Sequence, residues 1–205
     1  MMKYVIFFWV FFFFQSCSTK IGTTIYFDDT SQITKNNFNS LKKTRTYFEI
    51  QGDSINHRKI IFREQKGKID NRFEIVDLLK KNLDLKININ EFVIIVYYPG
   101  KDACNSSGSS DENWIKNKFA NLEQGVYALT NTKPIYLYQK NEGLEKYNNI
   151  ITWKQDPNNI IEKTFFKHHY PCNSFVVIDE NGNFFSYFGE FVPEQIHDAI
   201  KFLKF

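Results

Sequence analysis

The run Glu91-Phe-Val-Ile-Ile-Val-Tyr-Tyr-Pro-Gly100 decides the fold class. Apolar and aromatic residues follow one another without interruption until Pro99-Gly100 stops them. A strand with one wet face would alternate, so the run reads as a strand covered on both faces in a partly parallel sheet. Toward the C-terminus, residues 111–124 read as a helix with Ser110 or Asp111 as N-cap and Trp114, Phe119 and Leu122 on its apolar side. Residues 134–138 read as a second core strand, 148–153 as a further extended piece, and 158–168 as a helix capped by Asn158 or Asn159. Ser174-Phe-Val-Val-Ile-Asp-Glu-Asn-Gly182 reads as a third strand and its turn, with 183–188 returning. Pro193 opens a last helix to about residue 203, with Ile196, Ala199, Ile200 and Leu203 facing inward. Strand, helix, strand, helix, hairpin, helix is an α/β succession, and two β-α-β crossings would make part of its sheet parallel.

Toward the N-terminus, residues 71–83 carry Phe73, Val76, Leu79 and Leu83 at helical steps, with Ile75 and Leu78 widening the stripe. Residues 46–50 and 59–63 read as two strands, with Gly52-Asp53 in the turn between them and Gly67 ending the pair. Residues 17–44 are rich in Ser, Thr, Asn and Lys and read as a mobile tether, in which Ile25-Tyr26-Phe27 could form a short strand. Before it stands MMKYVIFFWVFFFFQSC. Lys3 precedes an apolar run from Tyr4 to Phe14, shorter than the roughly 20 residues a bilayer-spanning helix needs, so 1–16 reads as an export signal. The organisation expected is a signal over 1–16, a tether over 17–44 and one α/β domain over 45–205.

The chain has 26 basic and 23 acidic residues, for a formal net charge of +3. The balance is too even for a nucleic-acid binder, which clusters its basic residues on one patch. No glycine-rich phosphate loop, Ser-His-Asp order or paired-carboxylate spacing appears, and no cofactor is expected. His57 is isolated, and Trp114 and Trp153 read as core. Three cysteines, Cys17, Cys104 and Cys172, remain for chemistry.

Two resemblances follow. Gln15-Ser16-Cys17 at the end of the apolar run resembles the lipobox of bacterial lipoproteins, with Phe14 where Leu is usual. It implies cleavage before Cys17, a diacylglycerol on its sulfur and a membrane-anchored domain in the cell envelope, facing the periplasm or exterior. Residues 91–205 resemble the thioredoxin-like superfamily, in particular its redoxin or TlpA-type branch. The resemblance rests on 174–182 with Phe184, Phe185 and Gly189, and on 92–98 with a cysteine soon after. It implies a three-layer thioredoxin-like fold with an N-terminal β/α extension. The chain departs from that pattern at the functional positions. Ser107 stands where the second cysteine of Cys-x-x-Cys belongs, and Asn173 where the family has a cis-proline. The proline pattern of peroxiredoxins is also absent.

The resemblance further implies that Cys172, just before the proline position, approaches Cys104 across one end of the sheet. A bond between them would restrict the unfolded chain by roughly 4 kcal/mol on chain-entropy grounds. Three uses stay open. Cys104 is a nucleophile near a helix N-terminus and Cys172 its resolving partner, exchanging disulfides with an envelope protein. Alternatively the pair is a permanent staple in a redox-inert binding module. Third, Cys104, Cys172, His168 and His169 hold copper or zinc, similar to the Sco-type copper chaperones, although their Cys-x-x-x-Cys is missing. Asp102 beside Cys104 opposes a thiolate there. Asp156 reads as a cap for the helix beginning near Asn158.

Overall fold

The computed structural model describes residues 23–106 and 111–205. The described chain is a mixed α/β protein with two mixed sheets. No described helix is long and apolar enough to cross a membrane.

The smaller sheet is built from β1 (Ile25–Phe27), β2 (Gln32–Ile33), β3 (Tyr47–Gln51) and β4 (His57–Phe62), in the order β2-β1-β4-β3, with helix α1 (Lys35–Lys42) between β2 and β3. The Asp28 carboxylate accepts the N–H groups of Thr30 (2.8 Å) and Ser31 (2.7 Å), which turns β1 back into β2. Thr34 caps α1 by accepting the Asn37 N–H at 3.2 Å. Phe38 of α1 is buried, its ring 4.9 Å from that of Tyr26. The expected tether over 17–44 is therefore corrected: residues 25–42 are folded into this sheet. Ile25-Tyr26-Phe27 does form the short strand it could be read as, whereas the later apolar side chains stand singly in polar sequence and meet only in three dimensions.

After Arg63 the same run of chain crosses into the larger sheet as β5 (Glu64–Lys68). Glu-Gln-Lys-Gly-Lys carries no apolar alternation, and Gly67 lies inside a strand instead of ending one. As an edge strand β5 uses its backbone, pairing antiparallel with β10 (Asn183–Tyr187) in a register that sets Lys66 opposite Phe185. At Gly67 a Cβ would come within 2.9 Å of the Phe184 ring, so only glycine lets the strand lie so close.

The larger sheet has the order β5-β10-β9-β6-β7-β8. Its centre is β6 (Val93–Tyr98), every residue of which is buried, as is every residue of β9 (Ser174–Ile178). β7 (Ile135–Tyr138) and β8 (Lys154–Gln155) run parallel to β6, while β9 runs antiparallel to it. One helical crossing, from β6 through α4 (Glu112–Thr130) to β7, thus joins parallel strands. The second, through α5 (Ile160–Phe165), delivers an antiparallel one. The extended piece expected over 148–153 is displaced to the short β8.

Helices cover both faces of this sheet. On one, α2 (Arg72–Leu83) and α5 bury Ile75, Val76, Leu79, Ile161 and Phe165 against Ile95, Leu137 and Val176. On the other, α4 and α6 (Pro193–Lys204) bury Ile115, Leu122, Val126, Ile196 and Ile200 against Ile94, Val96 and Phe175. Each fully buried side chain of this size contributes about 1.5–3 kcal/mol. Trp114 (52% exposed) and Phe73 (72%) leave the apolar faces assigned to them, because their neighbours Ile115 and Ile75 take the inward positions. The β9–β10 turn is held by Asp179, whose carboxylate accepts the N–H groups of Asn181 (2.9 Å) and Asn183 (2.8 Å). The buried Arg72 ties α2 to that turn and to the approach to β6, donating to the carbonyls of Asp179 (2.6 Å) and Glu91 (2.7 Å).

Candidate functional site

At the end of β6 the chain leaves the sheet at Tyr98, bends through Pro99-Gly100, and forms a single helical turn, α3 (Ala103–Ser106). A residue network fixes this turn. Asp102 Oδ1 accepts the Asn105 N–H (2.7 Å), and Asn105 Oδ1 accepts the Asp102 N–H (3.0 Å). The buried Asn105 amide also donates to the Gly100 carbonyl at 2.7 Å. Cys104 is thereby held half-buried at the rim.

Cys172 arrives from the segment between α5 and β9. Its φ of 65° is left-handed, a conformation rare for a residue with a side chain. Its N–H donates to Asp102 Oδ2 at 2.9 Å. Cys104 and Cys172, 68 residues apart, are joined by a disulfide with Cα atoms 5.2 Å apart, inside the range such a bond needs. One carboxylate therefore caps the turn carrying Cys104 and grips the backbone of Cys172. The sequence assigned Asp102 only a charge effect on the thiol; the hydrogen bonds that span the two cysteine segments were not legible there.

The third wall comes from the end of β10. Gly189 has φ +79°, a Cβ there would lie 3.3 Å from the Pro171 carbonyl, and its N–H donates to the buried Ser174 hydroxyl at 3.0 Å. Glu190 follows. Its carbonyl accepts from the Arg63 guanidinium at 3.4 Å, so the bend between the two sheets reaches the site. A cavity of about 140 Å³ opens beside the disulfide, floored by Ile115, Phe119 and Leu122 of α4 and flanked by Trp114, Phe191 and Lys146. Lys146 donates to the Asn105 carbonyl at 2.6 Å, and burial lowers its pKa, with Lys118 adding repulsion. An anion arriving there meets an ammonium that is incompletely solvated.

Neither histidine joins the ligand cluster around the two sulfurs. His168 is largely exposed beside the Tyr170 ring, with centroids 6.0 Å apart, and partial desolvation is the main cause that lowers its pKa. His169 is exposed with Nε2 3.5 Å from Asp102 Oδ2. The ligand set expected from Cys104, Cys172, His168 and His169 is thus not assembled. Among the described residues the potential ligands that converge on the two sulfurs include Glu190, with its carboxylate and both Sγ atoms all within 4.8 Å of one another. Glu190, Lys146 and Phe191 went unseen in the sequence, because they reach the site from separate segments. Asp156 caps α5 as expected, accepting the N–H groups of Ile161 (3.2 Å) and Glu162 (2.9 Å). That helix begins only at Ile160, since Asn158 and Asn159 are left-handed. Cys17 and the expected cleavage point lie outside the described residues, as does Ser107.

A scan of protein-family models finds no match to this chain, and a search of curated proteins finds none either.

Proposed function

We propose that the chain is a thioredoxin-like thiol–disulfide exchange protein of the cell envelope, anchored through lipid on Cys17 after removal of residues 1–16. The succession β6-α4-β7-α5-β9-β10-α6 is the one the resemblance implies, and it supports the finer fold assignment. The observation that carries the chemistry is the position of the disulfide. It sits half-buried beside an open apolar cavity, not sealed within the core. A disulfide that only braced the fold would gain nothing from that cavity.

In this reading Cys104 is the nucleophile. Lys146 is bonded to the carbonyl of the neighbouring Asn105, whereas the Cys172 backbone faces the Asp102 carboxylate. Reduced Cys104, as thiolate, attacks a disulfide of an envelope protein and forms a mixed disulfide, releasing one partner thiolate. The Cys172 thiolate then attacks Cys104 Sγ, closes the 104–172 bond and releases the second partner thiolate. Two electrons pass to the partner. The reverse sequence oxidises a partner dithiol.

The test is trapping. Cys172→Ser leaves Cys104 without its resolving partner and should accumulate mixed disulfides with envelope proteins, visible as reductant-sensitive bands; Cys104→Ser should accumulate none. Absence of bands from both variants would favour the second reading, a permanent staple in a redox-inert binding module. Asp102 lends that reading some support, since its charge opposes a thiolate nearby. Loss of membrane partitioning in Cys17→Ala tests the anchor separately.

A further inference from the structure

Reduction of this pair leaves two thiols facing a carboxylate, and the geometry points to a metal site present only in the reduced form: Cys104 Sγ, Cys172 Sγ and Glu190 as ligands for one divalent cation of the zinc class. The inference rests on the exchange reading in one respect, that the bond opens in the folded protein.

The first support is distance. Zn–S bonds of about 2.3 Å and Zn–O bonds of about 2.1 Å at tetrahedral angles place the sulfurs about 3.8 Å apart and each about 3.6 Å from the oxygen. The three candidate ligand atoms already lie within 4.8 Å of one another. With Cα atoms 5.2 Å apart, side-chain rotation alone can separate the sulfurs by the required amount.

The second support is that the disulfide is not the only thing holding the ligands together. Asp102 grips Cys172 N–H and caps α3 without using either sulfur. Glu190 is placed by the Gly189 to Ser174 bond and by Arg63 on its carbonyl. Among the described residues no hydrogen bond or ion pair engages the Glu190 carboxylate. When the covalent bond opens, the backbone that aims the three ligands stays in place.

Chemistry selects the cation. Two thiolates and one carboxylate suit borderline Zn(II), whereas Cu(I) prefers sulfur and gains little from the oxygen. A partner dithiol reduces the 104–172 bond and becomes a disulfide; two thiols, one carboxylate and M²⁺ then give a complex of charge −1 and two released protons. Lys146 lines the same cavity and opposes that negative charge. Among the described residues three protein ligands converge at this half-buried rim, which matches the pattern of open zinc sites with three protein ligands and a water.

The test uses the full chain in detergent, with Cys17→Ala so that only two sulfurs count. After anaerobic reduction with a phosphine, Co²⁺ should bind one per chain with a tetrahedral visible spectrum and a thiolate charge-transfer band, and Zn²⁺ should displace it. The oxidised chain should bind none. Glu190→Gln, at an exposed position, should keep the fold and both titratable thiols yet weaken Zn²⁺ binding by about tenfold or more. Two free thiols without metal uptake, or Glu190→Gln binding as tightly, would overturn the metal site and leave disulfide exchange standing. Thiols that appear only in denaturant would overturn both.

Discussion

The interior of the larger sheet and its cysteine end are held by different forces. In β6 and β9 every side chain is buried and apolar packing fixes the geometry. Within a few residues of Tyr98 that packing gives way to carboxylate, amide and disulfide: Asp102, Asn105 and the 104–172 bond. Packing energy in the sheet falls only if the fold opens. Polar bonds at the rim can be exchanged one at a time. The contrast teaches that, under the proposed exchange, the covalent change falls on polar contacts at the rim and not on the packing beneath them.

The largest expected effect tests that separation. Reducing the disulfide should lower the unfolding free energy by about 4 kcal/mol, the chain-entropy value for a loop of this length. Urea titrations with and without reductant check the loss, while native circular dichroism below the transition should be retained. A reduced chain already unfolded in buffer would show that scaffold and site are not separable. From the sheet side, Leu137→Ala removes a fully buried side chain of β7 and should cost about 3 kcal/mol. The potential of the cysteine pair should remain unchanged.

Asp156 is a polar group within the scaffold. Burial pushes its carboxyl pKa up to about 6, against the two backbone N–H groups that it caps. The folded state holds the proton more tightly than the unfolded chain. The Asp156 contribution to stability is therefore greatest below about pH 4, declines as pH rises toward about 6 and is level above, a fall of roughly 3 kcal/mol at most. Asp156→Asn retains an oxygen for the cap and should flatten that decline in denaturation profiles between pH 4 and 7.

The smallest effect lies at the rim. Asp102→Asn weakens the grip on Cys172 and removes a charge that disfavours thiolates. Both changes favour the dithiol, so the reduction potential should rise, by about 30 mV for roughly 1.4 kcal/mol. A fall would mean that Asp102 does not hold the two cysteine segments together.

The sequence made the scaffold legible and the site only in part. β6, β9 and β10 announce themselves as apolar runs closed by Pro99-Gly100 and Asp179–Gly182. β5 does not, because a polar edge strand contributes backbone and hides its side-chain signal. Ile25–Phe27 was legible as a short strand and is β1, but the residues of β2 and α1 read as tether because Phe38 finds its partner Tyr26 only after folding. At the site, Cys104 and Cys172 were paired by resemblance alone. His168 and His169, near Cys172 in sequence, do not reach the sulfurs, His169 meeting the Asp102 carboxylate instead, while Glu190 is brought in from the end of β10. Proximity along the chain misled where convergence of three segments decided.

The reduction potential of Cys104–Cys172, measured in the folded chain against a thiol–disulfide redox buffer, decides between exchange and staple. Exchange requires a value well above −300 mV, as for labile and catalytic pairs. A value below −300 mV would make the bond a permanent part of the scaffold and contradict the proposed chemistry.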